Sequence, residues 1–494
     1  MRDLLNNLSD DLFHPPRRGV GSRIFSNVLL VVLFVLGAIH WAAFFNYGRA
    51  NLTAHDWWRQ YVYLSVGEQA VAERTVPYHI SRETLGTNRY LAVPETMLSP
   101  QILALPYMSM GSFALLNVLL LYSIGFVGCL LIRRRYQLSA VAFITLFLLY
   151  NFNGHITSHL GVGHPWYGYF FLPFFCLFVL ELVEGRMDVS LAVWMSLCLF
   201  AMLLQGSLHI MIWCCMLLAL MAVFNRAHRV PALLTFLFTG LLGMFRFAPA
   251  VMDFYDRGYK YGSGYRSLYD LFEAFVAIKE YDTFAVGSLF SRQGWWEYDL
   301  YVGVMALAAV IYLGIVVRWQ KSWELGERKY KPLDLPLFIV GILSLNYFYV
   351  FIAKLPIPLI NVERAPSRFM VIPFLMLLLI ACIRMQEGLN RLESLGNVKW
   401  LIVPALLDTG FSLVNHSVRW SVMLFERAER EFPCDVTVRI TEKEDAAYKA
   451  VVNISALVSL ITFVVLVAIF LWSGFRRKRA RPSGKGLNAE SVHG

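Results

Sequence analysis

Twelve times along this chain the sequence runs apolar for about 15–20 residues, and a bilayer core about 30 Å thick takes about 20 such residues wound as a helix. The runs lie near 26–46, 112–132, 136–152, 166–184, 188–205, 208–224, 231–251, 301–317, 335–353, 367–383, 400–414 and 452–473. A backbone in hydrocarbon must satisfy its own N–H and C=O groups, which leaves helices as the form such runs take. The expected fold is therefore all-α, a polytopic transmembrane helix bundle of about 12 spans whose extracytoplasmic loops carry short interfacial helices. The eleventh run is short and holds Pro404 and Asp408. It is kept because removing it would put the basic cluster at 476–481 on the face opposite the other basic loops.

Composition agrees. Hydrophobic residues make up 57% and charged residues 16%, against roughly 45–50% and about 25% in soluble proteins. Soluble enzyme classes are excluded on that ground. The net charge of +10 is scattered between the spans rather than gathered into a patch, so no nucleic-acid partner is expected. Six of the seven cysteines fall inside apolar runs, where thiols act as small hydrophobes, and only Cys434 lies in a polar segment. No disulfide framework follows.

Lys and Arg resist translocation, so their loops mark the cytoplasmic side. Arg2, Arg17, Arg18 and Arg23, the Arg133–Arg135 triplet, Arg226 and Arg229, the 318–331 group and the FRRKRAR run after the last span all fall on one face when both termini are inside. Residues 1–25 are then a cytoplasmic tail, 26–473 the bundle and 474–494 a basic cytoplasmic tail. With no small-x-small cleavage site, the first span reads as an uncleaved signal anchor. The long extracytoplasmic loops are 47–111, 252–300, 354–366 and 415–451, with a short one at 153–165. Asn51 and Asn415 begin N-x-S/T sequons on that side.

Chemistry-bearing residues gather on the same side. In NLTAHDWWRQ, Asp56 stands between His55 and the pair Trp57–Trp58, and tryptophan fixes depth at the headgroup level. A carboxylate there can serve as general base or metal ligand, or simply pair with Arg59. GHITSHLGVGHPWYGY brings His155, His159 and His164 into one short glycine-rich loop. They suit either a divalent metal or hydrogen bonding in a polar substrate cavity, and H-x-x-x-H without a neighbouring Glu decides neither. INVERAPSRF places Arg364 and Arg368 four apart at a span entrance, as a phosphate grip or as residues snorkelling to headgroups. Arg246, near the outer end of the seventh run, needs protein or water as partner at that depth. Trp295, Trp296 and Glu297 in GWWEYDLYVG suit a sugar ring and its hydroxyls, or an aromatic loop resting on lipid.

Taken together, an early Asp in a long first outer loop, a second long loop after the seventh span and the strings GHITSHLGVGHPWYGYFFLPF, WWEYDLYVG and ERAPSRF are similar to the GT-C superfamily of polytopic glycosyltransferases, in particular the bacterial YfhO-like membrane proteins. The resemblance implies an inverting sugar transfer from a polyprenyl-phosphate donor to a glycan, lipid or protein acceptor on the extracytoplasmic face of a bacterial inner membrane. It implies Asp56 as general base and Arg364, Arg368 or Arg246 on the lipid phosphate. Many relatives carry paired acidic residues where this chain has His55 and Trp57, a departure that leaves the metal requirement open and offers His55 as a substitute partner for Asp56. The rival classes are a carrier or lipid-linked glycan flippase, a haem or copper oxidoreductase, and an inactive assembly partner.

Overall fold

The computed structural model describes residues 11–15, 20–50, 52, 55–84, 86–164, 166–254, 264–279, 294–319, 329–353, 363–391, 400–422 and 438–479. Cys434, Asn51 and most of the Tyr- and Gly-rich stretch after Asp253 lie outside them. Every apolar run named above has a helical counterpart. In chain order the helices are α1 (Val20–Phe44), α2 (Trp57–Glu73), α3 (Met110–Tyr136), α4 (Ala140–Asn151), α5 (Gly154–Val162), α6 (Leu172–Val183), α7 (Val189–Leu204), α8 (Leu208–Phe224), α9 (Arg229–Leu242) and α10 (Met244–Phe254). They continue as α11 (Leu268–Val276), α12 (Val304–Gly314), α13 (Asp334–Leu343), α14 (Asn346–Ala353), α15 (Val371–Arg391), α16 (Ile402–Arg419) and α17 (Ala446–Arg479).

The chain is thus a helical membrane protein, and helix length supports fewer spans than the twelve expected. Among the described residues six helices are long and apolar enough to cross a bilayer: Gly21–Phe44, Met110–Tyr136, Ala140–Val162, Trp166–Val183, Pro366–Asn390 and Ala446–Leu471. A seventh follows if α9 and α10, bent by 72°, count as one. α7, α8 and α12 are shorter apolar helices of 16, 17 and 11 residues. At 1.5 Å per residue the last covers only about half of the hydrocarbon core.

Local sequence explains the breaks that matter. The chain turns out of α4 at Phe152, and Asn153 restarts it by accepting from the Ile156 amide at 3.4 Å. Gly154 then packs against the 299–301 segment, its N–H donating to the Tyr301 carbonyl at 2.8 Å, and a Cβ there would overlap the Asp299 carboxylate. Gly163 closes α5 in the left-handed region at φ 86°, against the Trp57 backbone.

One end of the bundle carries a small cap that an all-helical expectation leaves out. Strands β1 (His79–Thr84), β2 (Thr87–Arg89) and β3 (Ile440–Thr441) form an antiparallel sheet in the order β2-β1-β3, with Ile80 opposite Ile440. Beneath it Val62, Val66, Ile80, Tyr90, Val93 and Tyr448 make a core separate from that of the bundle. Arg89 pins the sheet to the bundle, reaching Asp253 at 2.8 Å and Asp445 at 2.7 Å.

Candidate functional site

The cap-side end of the bundle assembles most of the residues singled out in the sequence. Asp56 precedes α2, with its amide donating to the Val162 carbonyl at 3.0 Å while Trp57 Nε1 reaches the Leu160 carbonyl at 3.1 Å. These bonds lock the first turn of α2 onto the end of α5. They bring Asp56 Oδ2 to 3.2 Å from His164 Nε2 and its Oδ1 to 3.7 Å from Arg59. Arg59 in turn faces Glu95 at 3.5 Å. The Asp56 side chain keeps 30% of its surface exposed, whereas His164 is buried.

The electrostatics follow from that layering. Burial raises the Asp56 carboxyl above the usual carboxylate range; Arg59 and Arg364 oppose this, while Glu95 and Glu297 add to it. Burial, reinforced by Arg368, Arg364 and Arg59, pushes His164 well below the usual imidazole value. His164 Nε2 approaches the Asp56 carboxylate without making a hydrogen bond in this arrangement.

Behind this pair the polar groups continue inward. The expected histidine loop is corrected to a buried helix: His155 and His159 lie on α5, one turn apart, with ring centroids at 4.4 Å. His159 Nδ1 is 2.7 Å from the His155 carbonyl, and its Nε2 is 3.9 Å from Glu297. Trp166 sits at the centre, 5.0 Å from the His159 ring, 5.9 Å from that of His164 and 4.9 Å from Trp213. His155 Nε2, His159 Nε2 and Trp166 Nε1 are buried with no hydrogen-bond partner among the described residues. Such groups are normally satisfied by water or by a polar ligand.

The two arginines of ERAPSRF have different surroundings, which corrects the reading of them as one grip. Arg364 is exposed. Arg368 is buried, straddles Glu297 with contacts of 2.5 and 2.6 Å, and lies 5.1 Å over the Trp166 ring. Glu297 is therefore committed to Arg368 rather than presented to a sugar. Trp295 is buried with it, while Trp296 is partly buried and meets the His55 ring at 5.6 Å. Arg246 is also committed, donating to Thr96 Oγ1 at 2.8 Å, to the Pro94 carbonyl at 3.1 Å and to the Thr96 carbonyl. It ties the 94–96 segment to the start of α10, at the bend after α9.

Sequence reasoning passed over Glu363 and gave His209 no role. Glu363 is buried, accepts from Trp213 Nε1 at 3.1 Å, and lies 2.9 Å from His209 and 3.4 Å from Arg368. The legible signal was a Glu five residues before Arg368 in the same short string. Burial alone would raise its carboxyl, but His209 and Arg368 outweigh it and hold it at about 2. A depressed carboxylate stabilises the fold fully above its unfolded value of about 4.3 and progressively less as pH falls toward the folded value. Thermal unfolding in detergent should therefore show an acid-sensitive loss between about pH 4.3 and 2 that is smaller in Glu363→Gln.

Among the described residues no group of three or more His, Cys, Asp or Glu side chains could hold a metal ion. What the site offers is a partly exposed carboxylate beside a buried imidazole, with cations at its rim and aromatic faces below. Compared with profiles of known protein families, with curated proteins and with solved structures, the chain gives no match in any of the three.

Proposed function

We propose that this protein is a membrane glycosyltransferase, moving a sugar from a polyprenyl-phosphate donor to a hydroxyl acceptor at the extracytoplasmic face, with both termini in the cytoplasm of a bacterial cell. One observation carries the reading: the half-exposed Asp56 carboxylate, raised by burial, stands 3.2 Å from buried His164 and within the electrostatic reach of exposed Arg364. A base, its orienting neighbour and a cation for a phosphate thus meet at one mouth of the bundle.

In this scheme the acceptor oxygen attacks the anomeric carbon while Asp56 takes its proton. The bond from that carbon to the donor phosphate oxygen breaks, and polyprenyl phosphate departs with the electron pair. A phosphate is already a good leaving group, so positioning, one base and cationic stabilisation supply what the step needs. Exposed Arg364 is the cation that meets the phosphate, and Arg59 faces the second oxygen of Asp56 at 3.7 Å. His164 faces the other oxygen at 3.2 Å. The unpartnered nitrogens of His155, His159 and Trp166 offer polar contacts to a sugar or to the water that precedes it.

The bend between α9 and α10 is the form that broken helices take in carriers. Here the arginine at the bend is spent on backbone carbonyls, which favours a structural role for it. The direct test is mass spectrometry of lipids that copurify in mild detergent. Polyprenyl phosphate bearing a sugar is the expected finding, and a water-soluble solute without such a lipid would turn the reading to a carrier. Arg364→Gln is expected to weaken binding of that lipid about tenfold or more, as loss of a charge-assisted contact does. An unchanged affinity would reduce Arg364 to a headgroup contact.

A further inference from the structure

α16 is not among the helices long and apolar enough to cross a membrane, and two of its polar residues, Asp408 and Asn415, have no partner among the described residues. Leu401, Pro404, Asp408, Phe411, Asn415 and Val418 are all exposed. Their spacing alternates three and four residues, which is the a/d seam of two helices packed side by side. Leu401, Phe411 and Val418 keep 69%, 75% and 65% of their surface open. Asp408 and Asn415 occupy equivalent positions one heptad apart, and neither makes a hydrogen bond or ion pair among the described residues.

Depth is given by the opposite face of the same helix. Thr409 shares a cavity wall with Leu148 and Leu149, and a Cβ on Gly410 would sit 3.7 Å from Leu148. Further along, His416 Nδ1 is 3.4 Å from Thr157 Oγ1, and Trp420 closes over Gly161. α16 therefore runs beside Ala140–Val162, a helix long and apolar enough to cross a membrane, and Asp408 adjoins Thr409 and Gly410 at the level of Leu148, inside that helix rather than at either end. A carboxylate facing hydrocarbon at such depth is costly, and where it occurs it is paired.

We propose that this seam packs against a transmembrane helix of a different protein that presents a lysine or arginine to Asp408. Charge selects that occupant. The seam holds no basic residue, so a second copy of this chain would set Asp408 against Asp408 across the interface. Acyl chains bring no cation to that level. Asn415, one heptad on, gives a second polar contact that fixes the register of the pair, as a single polar residue on an a position does in coiled coils. The inference stands apart from the glycosyl-transfer reading, since none of these residues belongs to the Asp56 site.

The test uses the full-length chain, labelled at its C-terminus and reconstituted in liposomes. Its binding is read by energy transfer to a synthetic helix of about 20 leucines and alanines bearing one central lysine, or leucine in its place. The lysine helix is expected to bind about tenfold more tightly than the leucine helix, with that preference lost in Asp408→Leu. Asp408→Leu makes α16 more apolar and a better helix former, so the variant should remain folded. Equal binding of the two synthetic helices, or a lysine preference that survives Asp408→Leu, would overturn the proposal. So would efficient crosslinking of a photoreactive residue at position 411 to a second copy of this chain.

Discussion

Replacing Arg368 by methionine is expected to destabilise the protein by about 3–5 kcal/mol, the cost of leaving one member of a buried ion pair without its partner. Arg368 is 3% exposed and Glu297 5% exposed, so neither charge has water to fall back on. Glu363 already faces the same guanidinium at 3.4 Å and would lose its neighbour too. The decisive comparison is the double variant Arg368→Met, Glu297→Met. Removing both charges should restore more than half of the loss, because the penalty lies in the orphaned carboxylate rather than in the absent contact. Denaturant unfolding in detergent reads both variants. A single-variant loss below about 1 kcal/mol would mean that the pair is wet and that Glu297 remains available to a substrate.

If the proposed glycosyl transfer is this protein's reaction, Asp56→Asn lowers its rate by about 10²–10⁴-fold while leaving donor binding and thermal stability nearly unchanged. The amide preserves the shape of the side chain and its contact with Arg59 but has no basic oxygen at neutral pH. Retention of more than about a tenth of the rate would remove Asp56 from the role of base. The pH profile gives an independent check. Only the ionised carboxylate accepts a proton, so the rate falls as pH drops through the folded-state value, and burial places that fall above the ordinary carboxylate value of about 3.9. Arg59 pulls the value down; Arg59→Gln should therefore shift the acid limb to higher pH, whereas an Asp56 with only a structural role would leave the limb where it was.

Much of the candidate site was legible because its residues are costly where they stand. A histidine or arginine inside an apolar run, or an aspartate between interfacial tryptophans, is conspicuous against its surroundings, and His155, His159, His164, Arg368 and Asp56 do converge on one end of the bundle. Partnership was not legible. Arg364 and Arg368 look alike as letters, yet the turn of Pro366–Met370 buries one against Glu297 and leaves the other at the surface. Glu363 and His209 are 154 residues apart and meet only because α8 and the segment before α15 pack together.

The sequence by itself determined that this chain is a helical membrane protein, since apolar runs of that length have no other way to satisfy their backbone. Where the helices start and stop around Asn153 and Gly163 was not read from the sequence, which left 153–165 as a loop, although the caps that set those ends act within one turn of the chain. Only the tertiary structure decided how many runs are long enough to cross, that the segments around β1 and β3 meet in one small sheet, and which charged groups are spent on each other. Those outcomes depend on contacts between residues hundreds of positions apart. Hydropathy reports how much each residue favours leaving water, and it carries no information about which neighbour it will find there.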